Sequence, residues 1–500
     1  MKKLQRGAGI VIPVSALPSR YGIGDFASAV QWLPWLQSAG LRYWQILPLT
    51  IPDSVGSPFA SPSGEAMNPW LMSPDWLVEA GLITAAEARQ ARQPIGRIHR
   101  SDVSPAKLHL LKLAWERWIE TATAAEHQAL AKWRQANTEW LESYAHYQAI
   151  KDSYGGQPWW AWSPKLRDGR RAEKYLTPEL RQAAEWHNWC QWLLSEQWLR
   201  VRRRARELNV TIIGDLPFYV QYDSVEVWAR PDMFLLDRQR KMRVVSGAWP
   251  DLFSHHGQKW GTPLYRWRTH RRDRWKWWIG RIEAGLKLYD FIRFDHFAGL
   301  QATWHVPITA KDGTIGHWSQ TPGREILQGI QRQVGRLPFI AEDLGRMSKN
   351  IIQLRHQFAI PGSRVLQFAW SGLPDNMHEP KNVTADMVLY TANHDTNTTL
   401  GWFRDEARPH EKKRLRATYG TVKNLSWKFI ATVMEHRAVV AMVHISDVLS
   451  LGTEGRINHP GTKDGNWSWR MTRWPARSFA RRLRRLAVAA RRHPPRRSSV

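Results

Sequence analysis

Short apolar runs recur along this chain, separated by stretches in which apolar residues return at helical spacing. βα units around a parallel sheet produce that alternation, because strands buried on both faces read as continuous apolar runs while crossover helices show a single apolar stripe. The runs that stand out lie at residues 8–16, 43–49, 210–216, 291–297, 339–344, 365–370, 387–393 and 439–445. Helical patterns fall between them, at residues 26–39, with Phe26, Val30, Leu33 and Leu36 on one face, and at residues 325–334. Pro34 sits inside the first of these, where loss of a backbone donor should kink the helix. Eight strands with interleaved helices predict an α/β fold of the closed (β/α)8 TIM-barrel class.

Two gaps are too long for simple crossovers and must fold on their own. Residues 52–195 follow the second strand and carry more helical patterns, at 107–119 and 124–150; residues 221–270 follow the third and hold the turn-rich run 246–261. The expected organisation is therefore barrel over 1–51, a mostly helical insertion over 52–195, barrel over 196–220, an inserted loop subdomain over 221–270, the rest of the barrel over 271–475, and a basic, disordered tail over 476–500 that begins as a helix and decays, with no apolar pattern long enough to bury. Loops after barrel strands all open on one face, so both insertions would overhang the mouth.

Charge adds one question. The formal net charge is +28, which ordinarily points to a polyanionic partner. Its distribution argues otherwise, since the last thirty residues carry ten arginines and no acid, and the basic run 200–207 reads as the solvated face of a helix. No specific nucleic-acid partner is expected. Cys190 is the single cysteine, which excludes an internal disulfide and any multi-thiolate metal site and fits a reducing, cytoplasmic setting. The start of the chain imitates a signal peptide, but Pro13 breaks its short apolar run, so a buried first strand is expected instead. No apolar run reaches the roughly eighteen residues a membrane-spanning helix needs. Thirty-one tryptophans supply flat faces suited to sugar rings, and equally to a core.

Candidate chemistry gathers at the ends of four strands: Ile-Ile-Gly-Asp-Leu-Pro (212–217), Ile-Arg-Phe-Asp-His-Phe (292–297), Ile-Ala-Glu-Asp-Leu-Gly (340–345) and Tyr-Thr-Ala-Asn-His-Asp-Thr (390–396). Barrel geometry would bring Asp215, Asp295, Glu342 and Asp395 to one mouth, and paired carboxylates there are what breaking a glycosidic bond requires. Arg293, two residues before Asp295, shares its face if the strand continues and would keep that carboxylate ionised, as a nucleophile needs; a structural ion pair is the plainer alternative. Alternation sends only one of Glu342 and Asp343 into the mouth. A glutamate among carboxylates and apolar walls is pushed toward its protonated form, the state of a general acid, whereas Asp343 could cap a helix. Thr396, Asn397, Thr398 and Thr399 follow Asp395 as capping residues for the next helix. The sequence has no phosphate-binding loop, His-Glu-x-x-His site or Gly-x-Ser-x-Gly elbow.

Further motifs give these residues a context: Leu17-Pro-Ser-Arg-Tyr-Gly-Ile-Gly-Asp, Tyr43-Trp-Gln-Ile-Leu-Pro-Leu, Asp215-Leu-Pro-Phe-Tyr-Val with Asp223-Ser-Val-Glu-Val-Trp, Trp260-Gly-Thr-Pro-Leu-Tyr-Arg-Trp, Pro361-Gly-Ser-Arg-Val-Leu-Gln-Phe-Ala and Asn458-His-Pro-Gly-Thr-Lys-Asp-Gly-Asn-Trp. In order and spacing, residues 9–470 resemble the amylomaltases, the 4-α-glucanotransferases of the α-amylase superfamily. The resemblance implies a retaining enzyme that moves α-1,4-glucan segments between maltooligosaccharides through a covalent glycosyl-aspartate, releasing glucose, with no metal or other cofactor. It implies Asp295 as nucleophile, Glu342 as acid/base and Asp395 as the carboxylate that stabilises the transition state. It further implies substrate contacts from Arg293, His394 and Asp215 around the transferred glucose, from Trp260 on a loop at the acceptor side, and from Phe59 and Asn458. The chain departs from the family's pattern at Phe59, where tyrosine is frequent, at Ala298, where arginine is, and at Asn397, where aspartate is. An α-glucan hydrolase and a non-catalytic glucan-binding protein are the competing readings; the second would ordinarily have lost a carboxylate of the three.

Overall fold

The computed structural model describes residues 3–250, 255–345, 348–462 and 464–494. Eight strands, β1 (Gly7–Val11), β2 (Tyr43–Gln45), β3 (Thr211–Leu216), β4 (Phe291–Phe294), β5 (Phe339–Ala341), β6 (Gly362–Val365), β7 (Met387–Tyr390) and β8 (Val440–His444), form one parallel sheet in the order β6-β7-β8-β1-β2-β3-β4-β5. The end strands meet where Ala341 N donates to Pro361 O at 2.8 Å, which closes the sheet into a barrel. Successive side chains alternate between two cores. Val11, Tyr43, Ile213, Phe291, Ile340, Val365, Val388, Tyr390, Val440 and Met442 fill the barrel interior, while Ile10, Trp44, Ile212, Ile292, Leu389 and Ala441 pack outward beneath the helices. Burial on both faces is why these strands read as unbroken apolar runs.

The strands are shorter than the runs. Residues 14–16 and 366–370 turn into 3₁₀ helix, and β6 begins three residues before the run that announced it. Its first residue must be glycine, because a Cβ on Gly362 would stand 2.6 Å from the Asp343 carboxylate. Helix α1 (Phe26–Ser38) starts at Asp25, whose side chain accepts from Ser28 N, and runs without interruption through Pro34.

After β2 the chain builds a helical body that includes α2 (Arg100–Thr121), α3 (Ala124–Gln135) and α4 (Thr138–Ser153). It returns on α5 (Pro178–Glu207), a helix of 30 residues that crosses the boundary expected at residue 195, packs on α1 and leads into β3. The basic end of α5 is not wholly solvated: Arg202 is buried and its guanidinium lies 3.2 Å from Asp290. After β3, strands Val244–Ala248 and Gln258–Lys259 join strands Ala302–Pro307 and His317–Gln320 in a four-stranded antiparallel sheet. Half of that sheet comes from the connection after β4, which the periodicity did not mark as an insertion. Helix α6 (Gly323–Val334) then leads to β5, and α7 (Leu425–Glu435) to β8.

The disordered tail expected over 476–500 is overturned for most of its length. Residues Arg477–Ala489 form helix α8, with Ala480, Leu483 and Ala487 buried against α1 and α7 and Phe479 stacked on Trp427 at 6.1 Å. Arg492 is fully buried; its guanidinium donates to the carbonyls of Gly7, Met434 and Ala438 and so ties the end of α7 to the strand N-termini at the barrel floor. The apolar stripe of α8 was masked by its arginines, which occupy the opposite face. Residues 495–500 lie outside the described residues. Among the described residues no helix is long and apolar enough to cross a membrane, and Cys190 is buried.

Candidate active site

The alternation that fills the barrel also builds its mouth. Ile213, Phe291 and Ile340 point inward, so two residues later Asp215, Arg293 and Glu342 do the same, a polar layer capping an apolar core. The register of β3 and β4 sets Asp215 beside Arg293. Arg293 Nη1 donates to both oxygens of Asp215 and to Asp295 Oδ1, each at 2.9 Å. Burial disfavours the guanidinium charge, but the Asp215 and Asp295 carboxylates more than offset this and hold Arg293 protonated.

Asp295 is the first residue past β4. His296 follows it in the left-handed region, φ 48°, and this turn aims His296 N at Glu342 Oε2, 2.9 Å away. Nucleophile candidate and acid candidate are thereby joined by one backbone step. Burial drives the Glu342 carboxyl upward; although Arg293 opposes the shift, the charge of Asp295 adds to it, and the group is pushed up to about 8. Asp343, on the other parity, faces outward, where its carboxylate accepts from Ser363 N at 2.7 Å and from Arg364 at 2.8 Å; its task is to brace β5 against β6 rather than to cap a helix.

Asp395 reaches the mouth by a turn, not by alternation. The Asn393 side chain accepts from Asp395 N and Thr396 N, at 2.9 and 3.0 Å, and swings the backbone so that Asp395 faces the cleft. Asn458 Nδ2, 63 residues on, donates to Asp395 Oδ1 at 2.7 Å, and His394 Nε2 lies 3.2 Å from Oδ2. Burial alone would raise this carboxyl, but His394 and the Asn458 amide outweigh it and hold Asp395 well below the ordinary carboxylate range. The mouth thus keeps one carboxyl protonated and another ionised at neutral pH.

A cleft of about 1130 Å³ opens above these groups. Phe59, Trp260, Arg293, Asp295, Glu342, Asp395 and Asn458 all line it. Asp215 and His394 do not: they are 2% and 1% exposed, one layer back, where the first fixes Arg293 and the second flanks Asp395. The Phe59 ring stacks on His394 at 5.1 Å, and Trp260 stands edge-on to His296 at 4.9 Å. Tyr219, Trp304 and Trp318 also line the cleft and were missed by the sequence reading. Trp304 and Trp318 face each other in register across the antiparallel sheet, and an alternating pattern over residues 302–307 and 317–320 with Asp312-Gly313 between them was the signal that could have found them. Asn397 donates to Glu406 Oε1 at 2.9 Å, so an aspartate in its place would confront that carboxylate. Thr398 alone of the expected capping residues caps the short helix that follows, accepting from Gly401 N. Among the described residues no group of three or more His, Cys, Asp or Glu side chains is placed to hold a metal ion.

A closed parallel barrel with opposed carboxyls and aromatic walls at the C-terminal ends of its strands defines a barrel enzyme of glycosidic-bond chemistry. Comparison with known proteins narrows this. Residues 12–476 match the family described as glycoside hydrolase family 77, 4-alpha-glucanotransferase. The chain is 38% identical to the 4-alpha-glucanotransferase of Thermus thermophilus over 482 residues, covering 94% of this chain and 95% of that one, and 36% identical to the one from Aquifex aeolicus over 472 residues, covering 93% and 95%. Its fold is similar to that of an amylomaltase from Streptococcus agalactiae solved in complex with acarbose, with a TM-score of 0.93 and 28% identity over 98% of this chain and all of that one. The chain belongs to the 4-alpha-glucanotransferase family and is an enzyme acting on α-1,4-glucans.

Proposed function

We propose that the protein transfers α-1,4-glucan segments between maltooligosaccharides by a retaining, double-displacement route that releases glucose. Asp295 attacks the anomeric carbon while Glu342 gives its proton to the departing glycosidic oxygen; the products are a glycosyl ester on Asp295 and a shortened glucan. The 4-hydroxyl of a second glucan then attacks the ester as Glu342 takes its proton back. Asp395, held ionised, stabilises the positive charge that builds on the ring in both steps. Arg293 and Asn458 fix the two aspartates, Asp215 and His394 support them from behind, and Phe59 and Trp260 offer rings on which sugars lie. The observation that carries this reading is the pairing of a carboxyl kept protonated with its neighbour across the His296 backbone step.

Transfer outcompetes hydrolysis only where an acceptor sugar is held better than water. With maltotriose as sole substrate, the expected result is glucose plus a ladder of longer maltooligosaccharides, with total reducing ends nearly constant and with chelator making no difference. A steady rise in reducing ends without longer products would identify a hydrolase.

The acid step also sets a pH dependence. Glu342 must carry its proton to act, so kcat/KM should fall as pH rises through the value near 8 to which the carboxyl is pushed. A profile that stays flat through and well beyond that value would take Glu342 out of the acid role.

A further inference from the structure

Between the helical insertion and the segment that leads into the antiparallel sheet lies a second concavity, of about 860 Å³, which shares no lining residue with the catalytic cleft. One side of it is aromatic. Trp160, 42% exposed, stacks on Tyr222 with ring centroids 4.7 Å apart and planes at 22°, and Tyr175 is exposed beside it, with the Lys165 ammonium 5.4 Å from its ring. Trp160, backed by the half-buried Tyr222, is an apolar platform left open to water.

The rest of the lining is cationic. Arg171, Arg238 and Lys241 border the groove, and among the described residues no carboxylate lies within 4.0 Å of their charged nitrogens. The one carboxylate in the lining, Asp168, is already engaged, with Arg170 at 3.2 Å and Arg240 at 2.9 Å. The described arginines of helix α8, by contrast, lie on its exposed face, apart from this groove. A flat ring platform takes the C–H face of a hexose, and unpaired guanidinium and ammonium groups around it take a phosphate monoester, which presents several strong acceptors and up to two negative charges.

We propose that this groove is a second binding site, for a glucose unit that carries a phosphate ester, either as a free hexose phosphate or as a phosphate-bearing residue of an α-glucan chain. The site is independent of the catalytic roles assigned above, and its failure would leave them standing.

The test is calorimetric titration of the full chain with glucose 6-phosphate, glucose, inorganic phosphate and a maltooligosaccharide phosphorylated at a 6-hydroxyl. Glucose 6-phosphate should bind at one site and more tightly than glucose or inorganic phosphate alone. Trp160→Ala, and separately Arg238→Ala with Lys241→Ala, should each weaken it by about tenfold or more, the worth of one charge-assisted pair or one good stacking contact, while maltotriose disproportionation stays at the wild-type rate. Tighter binding of the phosphorylated oligosaccharide identifies the chain-borne source and equal binding the free one; either supports the site. No saturable binding of glucose 6-phosphate, unchanged affinity in both variants, or equal affinity for glucose would overturn it.

Discussion

Asp295→Asn should remove turnover and leave the fold in place. On maltotriose the loss in kcat is expected to be about four orders of magnitude or more, since losing a covalent nucleophile takes away the whole first displacement and not one contact to it. The fold should survive because asparagine keeps the volume and retains an amide oxygen that can accept from Arg293, as Asp295 Oδ1 does now at 2.9 Å. Arg293 would also keep both bonds to Asp215. The two effects separate by measuring the thermal midpoint beside the rate. A variant that keeps even about a tenth of wild-type activity would strip Asp295 of the role, whatever its stability.

Removal of residues 477–500 should cost stability rather than chemistry. The deletion uncovers the surface of α1 and α7 on which Leu483, Ala480 and Ala487 now rest, and it leaves the carbonyls that Arg492 serves without that donor at the barrel floor. Leu483→Ala alone should lower the unfolding free energy by about 2–5 kcal/mol, the range for emptying a fully buried leucine site. Arg492→Met tests the other half: it fills much of the same space and donates nothing, so each carbonyl it abandons without water costs about 1–3 kcal/mol. Denaturant unfolding should show a lower midpoint for both variants, with the rate per folded molecule unaltered. A truncated chain as stable as the full one would mean that α8 is dispensable after all.

How much of this was visible beforehand depends on how each residue reaches its place. Residues placed by strand parity were legible: once Phe291 and Ile340 are interior, Arg293 and Glu342 must face the mouth, and the apolar runs are enough to show it. Strand ends were not, because an apolar run does not distinguish a strand from the 3₁₀ turn that packs against the same core, as residues 366–370 do. Asp395 was marked by the polar end of its strand, but its aim depends on the Asn393 side chain closing a turn, which spacing does not contain; Asn458 depends on a chain return from far along the sequence, and only the family resemblance pointed to it. Trp304 and Trp318 sit on short alternating strands joined across Asp312-Gly313, a hairpin signal overshadowed by the longer apolar runs. The C-terminal segment was legible as the start of a helix, but its packing was misjudged, since counting its arginines hid the period of the residues between them.

On the route proposed above, the short link from Asp295 through His296 N to Glu342 would give the two steps of transfer a common clock. While Asp295 is a free carboxylate, its charge helps keep the proton on Glu342. Once it becomes an ester that charge is gone, whereas the Arg293 guanidinium remains and now faces fewer anions. Glu342, which gave up its proton in the first displacement, is then more easily kept ionised, just as the incoming hydroxyl requires an acceptor for its own proton. The proposed covalent intermediate would therefore itself turn its partner from proton donor to proton acceptor.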